Sequence, residues 1–220
     1  MSDSQIYVSR RRRQFLLGTG ALITGTALFS GLPAYSQEMA KKLLDAASPL
    51  GDRAIGDPNA PVVMIEYASA TCPHCAEFHE KLLPQIKTEY IDTGKVRFIF
   101  REFPLDQLAL GAFMLARCLP EDKYFPVIDL MFRRQRTWTQ AKNPADDLFK
   151  ITQMAGMTQA EFEACVSRKD LAKAISETAK KAATDFAIKG TPAIFVNGQF
   201  VDAHEDMPSV KAALDKAINQ

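Results

Sequence analysis

Two cysteines spaced two residues apart, in Cys72-Pro73-His74-Cys75, are the residues of this chain best suited to do chemistry. The spacing admits a redox disulfide, a pair of soft metal ligands, or a structural crosslink. Zinc fails on ligand count. A zinc site takes four ligands, usually supplied as two such pairs. Here Cys118 and Cys165 stand alone, and the histidines are His74, His79 and His204. His79 follows Phe78 and reads as an outward, solvated helix residue; His204, among Asp202, Glu205 and Asp206, reads as part of a surface turn. No metal site is expected. A purely structural crosslink is disfavoured as well, because so short a loop restrains little of the unfolded chain. Redox chemistry is the reading that remains.

The flanking elements place the motif. Val62-Val63-Met64-Ile65-Glu66-Tyr67 is a run of strand formers, and Phe78, Leu82, Leu83, Ile86 and Tyr90 recur at helical spacing. The motif therefore sits where a strand hands over to a helix. Pro73 suits the first helical position, where its missing N–H would be unpaired anyway. Cys72 is then the N-cap. A cap side chain accepts hydrogen bonds from the next N–H groups, and the helix dipole favours negative charge at this end. Both favour the thiolate, the form that exchanges disulfides. Cys75 shares the face of the first turn and can close a disulfide with Cys72.

Glu66 lies six residues before Cys72 in an otherwise apolar strand. In a central parallel strand that carboxylate is buried at a cost. Burial favours the protonated form, and the group could take or relay the proton of Cys75. The alternative is an exposed glutamate on an edge strand. Arg101 is a candidate partner across the sheet. Cys118 and Cys165 read either as a second, structural disulfide or as two buried thiols. The disulfide would close a loop of roughly 50 residues, worth about 3–4 kcal/mol in the chain-entropy model. Arg133-Arg134-Gln135-Arg136 reads as a solvated helix face.

The 220 residues are 47% hydrophobic with net charge +1, so nothing points to a nucleic-acid partner. Residues 1–36 read as an export signal: basic Arg10–Arg13, an apolar stretch from Phe15 to about Leu32, and Ala34-Tyr35-Ser36 as the cleavage site. Arg12-Arg13-Gln14-Phe15-Leu16 resembles the twin-arginine signature, with an ordinary secretory signal as the alternative. Left uncleaved, the segment would be a membrane anchor. Export implies an oxidising compartment, where cysteines can pair.

Residues 37–61 form a lead-in with a short helix over Met39–Ala46. Residues 62–103 read as strand, helix and strand, with the helix opening at Pro73, bent at Pro84 and closed by Gly94 near Thr93. Residues 104–187 read as an inserted helical subdomain: Leu108–Leu119, Tyr124–Arg136, Ala145–Met154, a helix from Gln159 capped by Thr158, and Asp170–Phe186. Residues 188–220 complete the domain with strand Ala193–Val196, the hairpin signal Asn197-Gly198, strand Gln199–Val201 and a helix over Pro208–Ile218.

With this order of elements, the C-P-H-C motif and Gly190-Thr191-Pro192, the chain resembles the DsbA family of periplasmic thiol–disulfide oxidoreductases from about Ala54 to Asn219. The resemblance implies an α/β thioredoxin fold, βαβ…ββα, with an inserted helical subdomain. It implies that Cys72 is the exposed, attacking cysteine and Cys75 its buried partner. His74, after Pro73, would stabilise the Cys72 thiolate. Pro192 would be a cis-proline facing the disulfide, and Thr191 would offer its backbone N–H and C=O to an extended substrate chain. Glu66 matches the family's buried acid, and a second pair like Cys118 and Cys165 resembles one branch of the family. Many oxidases of the family carry valine before the proline, where this chain has Thr191; threonine is commoner in the isomerases.

The function so implied is a dithiol oxidase that introduces disulfides into unfolded or reduced exported proteins. It needs no cofactor, acts as a monomer and is reoxidised by a DsbB-like membrane partner. An apolar groove beside Cys72, formed partly by the Pro192 loop, would bind unfolded chains. A reductase or isomerase of the same fold is the alternative; its usual dimerisation module has no counterpart in the short stretch before Val62. A copper-handling protein, with Cys72 and Cys75 as soft ligands, is a further alternative that lacks the Met/His-rich stretch it would need.

Overall fold

The computed structural model describes residues 34–46, 48–202 and 207–220. The export signal up to residue 33 and His204 lie outside these residues. Helix α1 (Ala34–Asp45) begins at the first residue of the expected cleavage site. A short strand that the sequence reading passed over, β1 (Arg53–Ile55), follows, and then β2 (Val62–Ala68). The helical run after the motif comprises α2 (Pro73–Glu77), a π-helical stretch (Phe78–Leu82), α3 (Leu83–Ile86) and a second π-helical stretch (Lys87–Ile91). Pro84 has no N–H to give to a regular α-helical bond, and the widened turns sit on both sides of it. Gly94, at φ +74°, ends the run, and β3 (Val96–Glu102) follows.

Six helices come next: α4 (Gln107–Cys118), α5 (Glu121–Arg133), α6 (Gln135–Thr139), α7 (Pro144–Gln153), α8 (Gln159–Val166) and α9 (Lys169–Asp185). The helix expected over Tyr124–Arg136 is thus two, broken at Arg134. The Asp106 side chain caps α4. Thr158 and Glu161 form a reciprocal capping box on α8. The chain closes with β4 (Ala193–Val196), β5 (Gln199–Val201) and α10 (Met207–Ile218). Among the described residues no helix is long and apolar enough to cross a membrane.

The five strands form one sheet in the order β1-β3-β2-β4-β5. β2 is central, parallel to β3 and antiparallel to β4. Gly56 lets the chain leave β1 tightly against β3: a Cβ there would sit 2.6 Å from the Val96 carbonyl oxygen.

Side chains alternate across β2. Met64 packs on one face with Phe98 and Phe100 of β3 and with Phe113, Phe132 and Trp138 of the inserted helices, in a single apolar cluster. Ile65 and Tyr67 pack on the other face with Leu43, Ala182 and Phe195. Fully burying a side chain such as Phe100 is worth about 1.5–3 kcal/mol. Most of the insert therefore covers one face of the sheet and completes its core, while the C-terminal half of α9 reaches the other face.

The same alternation decides where Arg101 points. It lies opposite Tyr67, whereas Glu66 lies opposite Phe100. The expected Arg101–Glu66 pair is replaced: Arg101 makes a bidentate ion pair with Asp52 at 3.0 and 2.9 Å and donates to Tyr67 Oη and the Leu43 carbonyl.

Candidate active site

Cys72 occupies the N-cap of α2 in extended backbone, φ −77° and ψ 120°, with Pro73 in the first turn. The turn that carries it is tied down on two sides. The buried Gln135 side chain, from α6, donates to the carbonyls of Ala70 at 2.8 Å and Cys72 at 2.9 Å. The Thr71 hydroxyl donates to Asp106 at 2.7 Å, which joins the turn to the N-terminus of α4.

Thr191 and Pro192 face this turn across a cis peptide bond. In the dithiol form Cys72 Sγ donates to the Thr191 carbonyl at 3.1 Å. That contact covers the sulfur. Cys72 is only 7% exposed, so the expected exposed cysteine is nearly buried, and Cys75 is wholly so. His74 and Pro73 are exposed beside them.

The two sulfurs differ sharply in acidity. The Cys75 thiol, foremost, holds the Cys72 thiolate by hydrogen bonding; burial opposes this, and the Thr191 hydroxyl and the N–H groups of Cys75 and His74 add to it, bringing its pKa to about 5. No N–H of the first turn makes a full capping hydrogen bond to Sγ, so these amides act on it at longer reach. The Thr191 hydroxyl is buried and otherwise unpaired. Burial pushes the Cys75 thiol well above its ordinary value, and the Cys72 sulfur and the charge of Glu66 push it further the same way. One sulfur is thus anionic at neutral pH and the other protonated, as a dithiol needs to attack with one sulfur and close with the other.

A model of the family described as thioredoxin matches residues 48–216. The crystal structure of Wolbachia pipientis alpha-DsbA1 superposes with a TM-score of 0.71 at 32% identity, covering 76% of this chain and 91% of that one. The chain belongs to the DsbA family. A protein of Rickettsia bellii named as a protein-disulfide oxidoreductase is 34% identical over 175 residues, 77% of this chain; the chain spans 65% of that relative's length. Disulfide bond formation protein D of Bacillus cereus is 28% identical over 174 residues, 76% of this chain and 79% of its own.

Beneath the cysteines of this DsbA-family chain the structure departs from the sequence reading. His79 is not solvated. It is buried and bonded to Glu66, Nε2 to Oε2 at 2.9 Å, and to Asp129 of α5, Nδ1 to Oδ1 at 3.3 Å. Phe132 lies over the imidazole at 4.2 Å, and Phe78 and Phe100 present edges to it. A period of 3.6 places His79 outward, but the π-helical stretch that begins at Phe78 turns Phe78 and His79 inward together. Burial alone would lower the pKa of His79, but the carboxylates of Glu66 and Asp129 outweigh it and raise the group to about 9. Glu66 itself is fully buried, and its Oε1 has no hydrogen-bond partner.

Gln135 and Asp129 also escaped the sequence reading. For Gln135 a signal existed: it stands three residues from Phe132 and from Trp138, on the inward face, within a run whose arginines are exposed. Cys118 and Cys165 are joined in a disulfide that links α4 to α8. Beside the cis-proline lies a cavity of about 600 Å³ lined by Ile188, Pro192, Phe195 and Phe200, among others.

Proposed function

We propose that this protein is an exported dithiol oxidase that places disulfides into unfolded or reduced protein chains. The observation that carries the reading is the placing of the two sulfurs, Cys72 at a helix N-cap against Thr191 and the cis Pro192, with Cys75 fully buried behind it; this favours a thiolate at Cys72 and a protonated thiol at Cys75. Stabilising the thiolate stabilises the dithiol form, which makes the disulfide a ready electron acceptor.

In the oxidised protein a substrate thiolate attacks Cys72 Sγ. The Cys72–Cys75 bond breaks, Cys75 leaves and takes up a proton, and a mixed disulfide forms through Cys72. A second substrate thiolate then attacks the substrate sulfur of that bond and expels Cys72 as thiolate. The substrate loses two electrons and two protons; one proton rests on Cys75 and the other goes to solvent. Pro73 starts the helix that presents Cys72. His74 supports the thiolate through its main-chain N–H and, on this reading, through its exposed imidazole. The backbone of Thr191, held by the cis Pro192, pairs with the substrate chain as an added strand, and the apolar cavity beside it accepts side chains of an unfolded substrate. Glu66 manages the proton of Cys75.

The thioredoxin-fold halves, 62–103 and 188–220, carry this site, and the insert, 104–187, closes over it. The protein works as a monomer in the periplasm, delivered by the signal in residues 1–36. A DsbB-like membrane partner takes the two electrons back from the dithiol. The test is the reduction potential of Cys72–Cys75 against glutathione in a Cys118→Ser, Cys165→Ser protein. A potential near −120 mV, that of the archetypal DsbA, is expected. One near −270 mV, that of thioredoxin, would make the protein a reductase instead.

A further inference from the structure

The charged groups beneath Cys75 form a continuous line to the surface. Cys75 and His79 are one turn apart on the same helical run, with Glu66 of β2 bonded to the ring. Glu66 turns one oxygen to His79 and leaves the other, Oε1, buried and unpartnered, while its charge is felt at the Cys75 thiol. His79 is sealed in: its side chain is 1% exposed and walled by Phe78, Phe100 and Phe132. Its far nitrogen meets Asp129, whose side chain is 39% exposed. Asp129 and Glu66 are the charged groups against the ring. The buried imidazolium has two N–H groups to satisfy; one meets a sealed carboxylate and the other a wet one, so the ring's Nδ1 proton has an acceptor in contact with water.

We propose that His79 and Asp129 connect Cys75 to solvent through Glu66, so that the proton exchanged by Cys75 in each redox half-cycle is balanced at the protein surface. The inference rests on the thiol–disulfide exchange proposed above. When Cys75 attacks a mixed disulfide at Cys72, its proton passes to Glu66 Oε1. Glu66 becomes neutral, so the imidazolium loses its counter-charge and releases its Nδ1 proton to Asp129 and water. The Nε2 proton stays in place. When Cys75 is expelled again, the Glu66 proton returns to it and His79 takes a proton back at Nδ1. Each half-cycle moves one proton, inward or outward, and a full turn leaves every group as it began. His79 touches no reacting sulfur; it is a positioning residue that acts through Glu66.

The experiment mixes dithiol protein with oxidised glutathione, quenches with acid at short times and separates the Cys72 mixed disulfide from the closed disulfide by mass. The variants are His79→Gln, which keeps a hydrogen-bonding side chain, and Asp129→Asn at a part-exposed position that does not endanger the fold. Formation of the mixed disulfide should be unchanged in both, since it depends on Cys72. Closure should slow about tenfold at pH 7, less than the roughly 10²–10⁴-fold of a group that takes the proton itself, because His79 acts through Glu66, and should recover towards pH 9 as hydroxide replaces the lost acceptor at the surface end of the line. Closure that is unchanged in either variant, or slowed by one factor at every pH, overturns the relay. An unsubstituted protein that never closes its disulfide would overturn the redox reading itself, and the relay with it.

Discussion

Cys72 has one hydrogen bond to give and several to receive. As a thiol it uses only the Thr191 carbonyl. As a thiolate it draws on the Cys75 thiol, the unpaired Thr191 hydroxyl and two helix amides. Its pKa, about 5, lies below the ordinary thiol value of 9.0. The sign follows: a depressed pKa stabilises the folded dithiol form fully above pH 9, and that stabilisation is lost as the pH falls through 5. At pH 7 it is worth about 3 kcal/mol. Reduction takes up two protons below pH 5 and one above it. A plot of potential against pH should therefore change slope near pH 5, from about 59 to about 30 mV per unit; a single slope from pH 4 to 8 would contradict the assignment. Gln135 offers a second test at this scale. Its replacement by leucine takes the Gln135 donor from the Ala70 carbonyl and one of two donors from the Cys72 carbonyl, which keeps the Ala76 N–H, a loss of about 1–3 kcal/mol that urea unfolding would register. The cysteines and Pro192 were legible in the sequence because a motif is local. Gln135 was obscured by the arginines around it, and Asp129 by standing fifty residues from the histidine it meets.

The strands show what a pattern can and cannot disclose. β2, β4 and β5 have the limits their residue types imply, because β-branched and aromatic runs bounded by proline, or by Asn197-Gly198, leave little choice. β1, with only three residues, has too short a run to show a period. The helix after Pro73 is the opposite case. Its residues are helical as expected, but two π-helical stretches shift the inward face, and a strict helical period then misplaces His79. Two contacts between elements invite measurement. The Cys118–Cys165 bond spans a sequence separation of 47. Replacing both cysteines with alanine should cost roughly 4 kcal/mol on the chain-entropy account, read as a lower denaturation midpoint with glutathione exchange at Cys72 intact. Thr158→Ala breaks the capping box on α8 and should cost about 1 kcal/mol.

In the whole molecule, the insert and the sheet share one apolar cluster. Periodicity disclosed that each inserted helix has an apolar face; it held no information on what that face would meet, and the answer is Met64, Phe98 and Phe100 of the sheet. The other side of the site is left open. Phe200 is 58% exposed at the rim of the cavity beside Pro192 and extends that cavity's apolar lining. Phe200→Ser should lower kcat/KM several-fold with an unfolded protein substrate and leave exchange with glutathione unchanged; equal loss with both would deny the cavity its role. The second disulfide has a consequence for the life of the molecule. A newly made chain carries four thiols, which can pair in three ways, and only one pairing gives the fold described above. Cys72 and Cys75 are neighbours and find each other readily, whereas Cys118 and Cys165 must be brought together by folding. Any copy already oxidised carries the reagent that a younger copy lacks. Under the function proposed above the protein is a client of its own chemistry, and a population of it should mature faster once the first members have matured.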